Sequence, residues 1–329
     1  MTLNGIIENH IINKRPIFIG GCPRSGTTML GAMLGDAARC VTTPESPFKQ
    51  KIPFRLGVDW FKGIDTTKLM DMLLKDFEFR QWKIPTHNSQ LPSAFKIDDY
   101  RNLLFGLVDS YAKKFNKLDW NVWIDHTPNN FSDALLLLDI FPNAKFIHIV
   151  RDPRAIAASI TPLNFGPNTA KDAAVYWGRK LSDALAFELV FPKKCLRVKY
   201  EDLVLQPEKS LQIICDFSGI RFVPGMIFGK GFKVPEYTKI KHGLVGSEPK
   251  TERIDTWERE LADWQIYQIE NSLHDLMGMM GYTKIGRKLH PPNATQSIKT
   301  LMKKIISSFI NKIRQRVQRR RYGKHKRFY

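Results

Sequence analysis

Residues 16–21, Pro-Ile-Phe-Ile-Gly-Gly, run directly into Gly21-Cys-Pro-Arg-Ser-Gly26-Thr27-Thr28. From Thr27 to Ala38 the apolar residues Met29, Met33, Leu34 and Ala37 then fall at helical spacing. A short buried strand, a glycine-bounded turn and a helix constrain the fold more than any other stretch. In that context the backbone N–H groups of the turn can wrap an anion, and the helix N-terminus adds positive potential. A tight turn without a ligand has the same spacing, so the turn alone leaves both readings open. The spacing is that of a nucleotide-triphosphate loop except that Thr27 stands where the lysine belongs. That lysine serves the β- and γ-phosphates, so its loss argues against ATP hydrolysis and ordinary kinase chemistry. Arg24, inside the loop, supplies a different cation.

The rest of the chain alternates strands with helices. Strands are predicted at 121–125, at 145–150 (Lys-Phe-Ile-His-Ile-Val, apolar nearly throughout) and at 195–200. Helices are predicted near 130–140, 153–161, 170–191 and 207–218, the last ending at Gly219, and from about 255 to 280. Two further helical stretches, 64–80 and 98–116, flank a loop with Pro85 and Pro92, and 220–252 reads as one long loop. The fold class expected is α/β: a three-layer P-loop-like fold with a mostly parallel sheet flanked by helices, plus a C-terminal basic amphipathic helix. At 329 residues the chain suits one domain with excursions, here 1–290, followed by a tail at 291–329.

The strand at 145–150 ends in Arg151-Asp-Pro-Arg154-Ala-Ile-Ala-Ala-Ser159. Ligands of open α/β sheets gather beyond the carboxyl ends of the strands, so this segment and the first loop bring two cationic loops to one edge. One other reading makes Asp152 a metal ligand after a Walker-B-like strand, which the missing lysine disfavours. Another has Arg151 and Arg154 simply pairing with Asp152 and surface acids.

Pro23-Arg-Ser-Gly-Thr-Thr28 together with Val150-Arg-Asp-Pro-Arg-Ala-Ile-Ala-Ala-Ser159 resembles the paired signature of sulfotransferases that use 3′-phosphoadenosine 5′-phosphosulfate (PAPS). Val198-Lys-Tyr-Glu-Asp-Leu203, with Pro207 and Phe217-Ser-Gly-Ile220, is similar to the family's next strand and helix. Arg253-Ile-Asp-Thr-Trp257 up to Gly281-Tyr282 is similar to its C-terminal helix. The resemblance spans roughly residues 15–285 in four ordered motifs, and is nearest the branch of tyrosylprotein and bacterial sulfotransferases. It implies that Arg24, Ser25, Gly26, Thr27 and Thr28 grip the 5′-phosphosulfate, that Arg151 and Ser159 take the 3′-phosphate, and that Tyr200 lies near the adenine.

Sulfuryl transfer needs a base to make a hydroxyl or amine acceptor nucleophilic. Glu45, in Thr43-Pro-Glu-Ser46, lies 21 residues after Arg24, the offset of the catalytic glutamate in the tyrosylprotein branch, and is the expected base. A helix-capping acid is the plainer reading of the same residue. Arg24 and the loop N–H groups would meet the charge on the leaving oxygen. His126, in Asp125-His-Thr-Pro128, stands where the family often has a lysine on the sulfonate. It can donate when protonated, act as a base when neutral, or be a structural histidine. The resemblance further implies that Ser247 lies near the sulfonate and that Lys250 and Arg253 close over the 3′-phosphate. The other seven histidines show no ligand spacing, and no metal is expected.

Acceptor contacts are expected in 46–120 and 220–252, which include Lys49, Arg55, Trp60, Lys62, Phe79 and Trp82, although the same residues suit ordinary packing. The acceptor expected is a hydroxyl or amine on a glycan, lipid-linked, protein or small-molecule substrate. Net charge is +19, yet residues 297–329 hold twelve Lys and Arg and no acid, leaving +7 for the other 296 residues. A polybasic run alone is sequence-blind electrostatics, which argues against a dedicated nucleic-acid binder. In the tail, Ile298, Leu301, Met302, Ile305, Ile306, Phe309, Ile310, Ile313 and Val317 make one apolar stripe opposite the basic residues. Two occupants fit it: an anionic membrane surface met by 297–327, or the domain's own surface. Four cysteines without a framework, and neither a signal peptide nor a spanning run, lead to the expectation of a cytoplasmic protein, peripheral on the inner membrane surface. A catalytically silent nucleotide-binding or membrane-associated protein on the same fold is the alternative of a different class.

Overall fold

Ile17 and Ile19 pack into one hydrophobic cluster and Phe18 into another, all three fully buried. That division is the alternation of a strand covered on both faces. The computed structural model describes residues 14–57, 66–84, 97–163, 165–241, 243 and 245–322. In chain order its elements are β1 (Arg15–Gly20), α1 (Thr27–Leu34), β2 (Cys40–Thr42), α2 (Phe48–Leu56), α3 (Thr66–Lys75), α4 (Phe77–Arg80) and α5 (Ile97–Lys114). Next come β3 (Val122–Asp125), a 3₁₀ turn (Pro128–Asp133), α6 (Ala134–Ile140), β4 (Lys145–Val150), α7 (Pro153–Ile160) and α8 (Ala170–Val190). The remainder is β5 (Cys195–Lys199), α9 (Tyr200–Leu205), α10 (Pro207–Ser218), α11 (Trp257–Glu260), α12 (Asp263–Ser272), α13 (His274–Met279) and α14 (Ala294–Tyr322).

The strands form one parallel sheet in the order β2-β3-β1-β4-β5, with Ile17 of β1 opposite Ile124 on β3 and Lys145 on β4. Phe18, Val41, Trp123 and Phe146 meet a helical layer from α2, α3, α5, α6 and the end of α8. On the opposite face Ile17, Ile19, Ile124, Ile147 and Ile149 meet α1, α9 and α10. A third cluster joins α7 and the first half of α8 to α11, α12 and α13. The chain is thus a three-layer α/β protein with the P-loop-like arrangement. The connections after β1 and β4 leave on opposite faces, so a crevice opens at the carboxyl ends of these two central strands.

Several elements depart from the sequence expectation. β2 was not anticipated, because three residues are too few to show a period. Nor were α2, which holds Pro53, and α9, which takes up Tyr200 at the end of the predicted strand. The stretch 64–80 divides where Asp76 turns extended and its side chain accepts the Phe79 N–H at 3.0 Å. The single helix expected at 255–280 is three short ones. Leu261 and Ala262 are extended, the Ala262 N–H is held by Gln265 Oε1 at 3.0 Å, and the breaks turn Leu261 and Leu273 into the cluster on α7 and α8. The long segment 220–252 contains the 3₁₀ turns Pro224–Phe228 and Glu236–Lys241 and runs into a third, Thr251–Arg253. Pro85, Pro92, Trp60, Lys62 and the tail beyond 322 lie outside the described residues.

Candidate active site

The chain leaves β1 through a turn that needs glycine at two positions. Gly21 has φ 150°, and a Cβ there would stand 2.2 Å from the Ile149 carbonyl oxygen of β4. Gly26 has φ 96°, and a Cβ there would stand 2.8 Å from the Tyr200 ring. Arg24, with φ 80°, is one of the few non-glycine residues in the left-handed region. Thr27 begins α1 without a side-chain cap, so the first N–H groups of that helix have no partner inside it. They face a cleft of about 500 Å³.

The cleft walls come from four parts of the chain. The first loop gives Arg24, Gly26, Thr27, Thr28 and Met29, and β4 with α7 gives Arg151, Ala155 and Ser159. Leu163 and Tyr200 close one side, and Gly243, Val245, Arg253, Thr256 and Glu260 close another. Three arginines meet here. Arg24 Nε donates to Ser159 Oγ at 3.1 Å, which ties the first loop to α7. Arg151 donates to the Arg24 carbonyl at 3.0 Å and to the Arg253 carbonyl at 2.7 Å, and its guanidinium lies 4.1 Å from the Tyr200 ring centre. Among the described residues no carboxylate pairs with Arg151, and its buried Nε makes no hydrogen bond. Burial, and then the neighbouring Arg151, push the Arg24 guanidinium below its ordinary value; Arg253 adds to this and Glu45 opposes it. Crowded cations of this kind favour a polyanion between them.

Arg154 and Asp152 belong elsewhere. Asp152 caps α7 by accepting the Arg154 N–H at 2.8 Å, and Arg154 pairs with Asp152 and Glu270, each at 2.7 Å. The plain reading therefore holds for Arg154 and fails for Arg151. Ser25 is fully buried under the loop, its hydroxyl without a hydrogen bond.

Thr28 also borders a smaller hollow lined by Pro44, Glu45, His126, Phe232, Pro235, Tyr237 and Thr238. Glu45 is half-buried between two fixed neighbours. Its carbonyl accepts Trp82 Nε1 at 3.4 Å, and the Ser46 N–H is held by Thr127 Oγ1 at 2.9 Å. Ser46 Oγ bonds the Asp125 carboxylate, which also receives Lys49 Nζ at 3.2 Å, Asn130 Nδ2 at 2.9 Å and the Thr127 N–H at 3.0 Å. Lys49 is fully buried, so it is an internal counter-ion and not an acceptor contact; Phe79 and Trp82 likewise pack in the core. Burial depresses Lys49. Burial would raise Asp125, but Lys49, Ser46 and Asn130 hold its carboxyl below the usual range.

His126 is wedged between Gly31, where a Cβ would stand 3.0 Å from the histidine Cβ, and Phe232, whose ring centre is 5.0 Å away. Neither ring nitrogen makes a hydrogen bond. Burial pushes the imidazole down to about 4, against the neighbouring Asp125 carboxylate, which favours the charged form. A ring held at that value is neutral near pH 7, which weighs against the protonated donor among the three roles open to it.

Ser247 and Lys250 are exposed on the segment that precedes Arg253 and do not line either hollow. Sequence reasoning missed Phe232, Pro235, Tyr237 and Thr238 individually. Only the length of their loop pointed to them, since their side chains follow no period.

The sequence pattern of the Sulfotransferase family matches residues 16–224, which stops short of Ser247, Arg253 and α14. An uncharacterized protein of Aquifex aeolicus is 26% identical over 266 residues, 78% of this chain and 31% of that protein. Protein-tyrosine sulfotransferase 1 of Danio rerio is 31% identical over 212 residues, 62% of this chain and 53% of the relative. The matches thus span about a third to a half of these relatives. Among solved structures, the sulfotransferase domain of the Synechococcus PCC 7002 olefin synthase has a TM-score of 0.56 at 23% identity, covering 82% of this chain and 95% of that one. That likeness is one of fold.

Proposed function

Since the chain belongs to the sulfotransferase family, we propose that it moves a sulfuryl group from PAPS to a hydroxyl or amine acceptor, with Glu45 as the base. One observation carries this reading: Arg24, Arg151 and Arg253 converge on a single cleft beside the N-terminal turn of α1, which has no side-chain cap. A ligand with phosphate or sulfate at both ends fits such a cleft better than a singly charged one. Arg24, Ser25 and the backbone of Gly26, Thr27 and Thr28 take the 5′-phosphosulfate. Arg151 and Ser159 take the 3′-phosphate, with Arg253 and Lys250 closing from the loop, and Tyr200 supports the adenine. The exposed position of Lys250 and Ser247 means that both act only after that loop moves inward.

In the step itself the acceptor oxygen attacks sulfur and its proton passes to the Glu45 carboxylate. The bond from sulfur to the 5′-phosphate oxygen breaks, and the electron pair remains on that oxygen as 3′,5′-ADP leaves. Arg24 and the loop N–H groups meet the charge that develops there. His126, being neutral, offers one N–H to the sulfonate. Thr28 borders both hollows, which supports transfer from the larger to the smaller. Phe232, Pro235 and Tyr237 give the acceptor an apolar wall.

The test is transfer of radiolabelled sulfuryl from PAPS to a panel of hydroxyl acceptors. Label should move with the wild-type chain and fall by ~10²–10⁴ with Glu45→Gln, while 3′,5′-ADP binding is kept. Near-normal turnover in Glu45→Gln would show that the base is elsewhere. A catalytically silent cofactor-binding protein is the second reading, favoured by the buried neutral His126 where the family often has lysine. It would give cofactor binding without transfer to any acceptor.

A further inference from the structure

α14 is a helix turned inside out. Its covered side chains, among those described, are Gln296, Thr300, Ser307 and Asn311, at steps of four and seven that place them on one face. All four are polar. The apolar stripe lies on the far side of the helix and is exposed throughout, with Ile305 at 64% and Phe309 at 67%. A helix docked for its own stability would bury the stripe and expose the polar edge. Here the body instead holds the polar edge by specific contacts. Lys304 pairs with Asp172 at the start of α8 at 2.9 Å, and Asn311 Nδ2 donates to Asn168 Oδ1 at 2.8 Å.

Charge identifies the occupant. The helix carries nine Lys and Arg and no acid. A second copy of the stripe would bring two such helices together against their mutual repulsion. An anionic lipid surface instead accepts the apolar side chains into its acyl boundary and pairs its headgroups with the flanking cations. Lysine and arginine stems beside the stripe can lie along it and carry their charges to the headgroups.

We propose that the exposed apolar face of α14 docks the protein onto an anionic lipid surface, with the polar face clipped to the domain through Lys304 and Asn311. The docking does not depend on the sulfuryl-transfer reading, but it has a bearing on the cleft. Asn168, the partner of Asn311, also donates to the Leu163 carbonyl at 3.1 Å, and Leu163 lines the cleft wall. The docked helix therefore holds the cleft beside the lipid surface.

The test is co-sedimentation of the full chain with phosphatidylcholine vesicles, with and without about one-quarter phosphatidylglycerol. At moderate salt the anionic vesicles should retain at least about tenfold more protein, and high salt should weaken that retention. The double variant Ile305→Asp, Phe309→Asp should lose it, with thermal unfolding unchanged because both residues are exposed. Three results would overturn the proposal. One is no preference for anionic vesicles, and another is undiminished binding by the double variant. The third is a concentration-dependent dimer in the wild type that the double variant dissolves, which would assign the face to a second copy.

Discussion

His126 connects local packing to a measurable property. With its imidazole held near 4 by burial, the folded protein binds a proton there less readily than the unfolded chain, whose histidine titrates near 6.5. The stabilisation from keeping this ring neutral is complete above pH 6.5 and is lost as pH falls toward 4, with an upper size of roughly 3 kcal/mol. His148, buried and also depressed by burial, acts in the same direction. Denaturant midpoints at pH 7 and pH 4.5 should therefore fall further in the wild type than in His126→Gln. An equal fall in both would mean that this ring does not carry the effect. The position of His126 after Asp125 was legible in the sequence, but its charge state was not. That depends on Gly31 and Phe232, which approach it from distant parts of the chain. Lys49 shows the same limit. Its type suggests a surface cation, and only the fold brings Asp125 and Asn130 around it.

The loop between β1 and α1 is the element on which the proposed anion site is built. Gly26→Ala places a methyl group at φ 96° and 2.8 Å from the Tyr200 ring. It should destabilise the protein by about 1–3 kcal/mol and also weaken cofactor binding, because Tyr200 supports Arg151. Thermal unfolding with and without 3′,5′-ADP reads both effects, and a variant as stable and as tightly binding as wild type would contradict this account of the turn. The loop was legible because its glycines and its strand–turn–helix context are local. The same holds for β4, whose run of apolar residues declares burial on both faces. β2 and the breaks at Leu261 and Leu273 were not legible. A three-residue strand has no period to detect, and the breaks answer to a cluster on α7 and α8 that no local window contains.

At the scale of the molecule, the parallel sheet gathers residues more than a hundred positions apart at one edge. Arg151 is the clasp: it reaches the Arg24 carbonyl of the first loop and the Arg253 carbonyl beyond α10 while its ring partner is Tyr200. Motif order in the sequence anticipated that meeting, but not that Arg151 would brace the cleft through backbone carbonyls as well as line it. Among the described residues no helix is long and apolar enough to cross a membrane. A cleft clasped in this way suits a nucleotide with anionic groups at both ends. Calorimetric titration with 3′,5′-ADP beside ATP, without Mg²⁺, tests it most directly. 3′,5′-ADP should bind more tightly than ATP, and Arg151→Ala should weaken that binding at least about tenfold, or ~1.4 kcal/mol. No binding of 3′,5′-ADP, or a preference for ATP that Mg²⁺ strengthens, would contradict it.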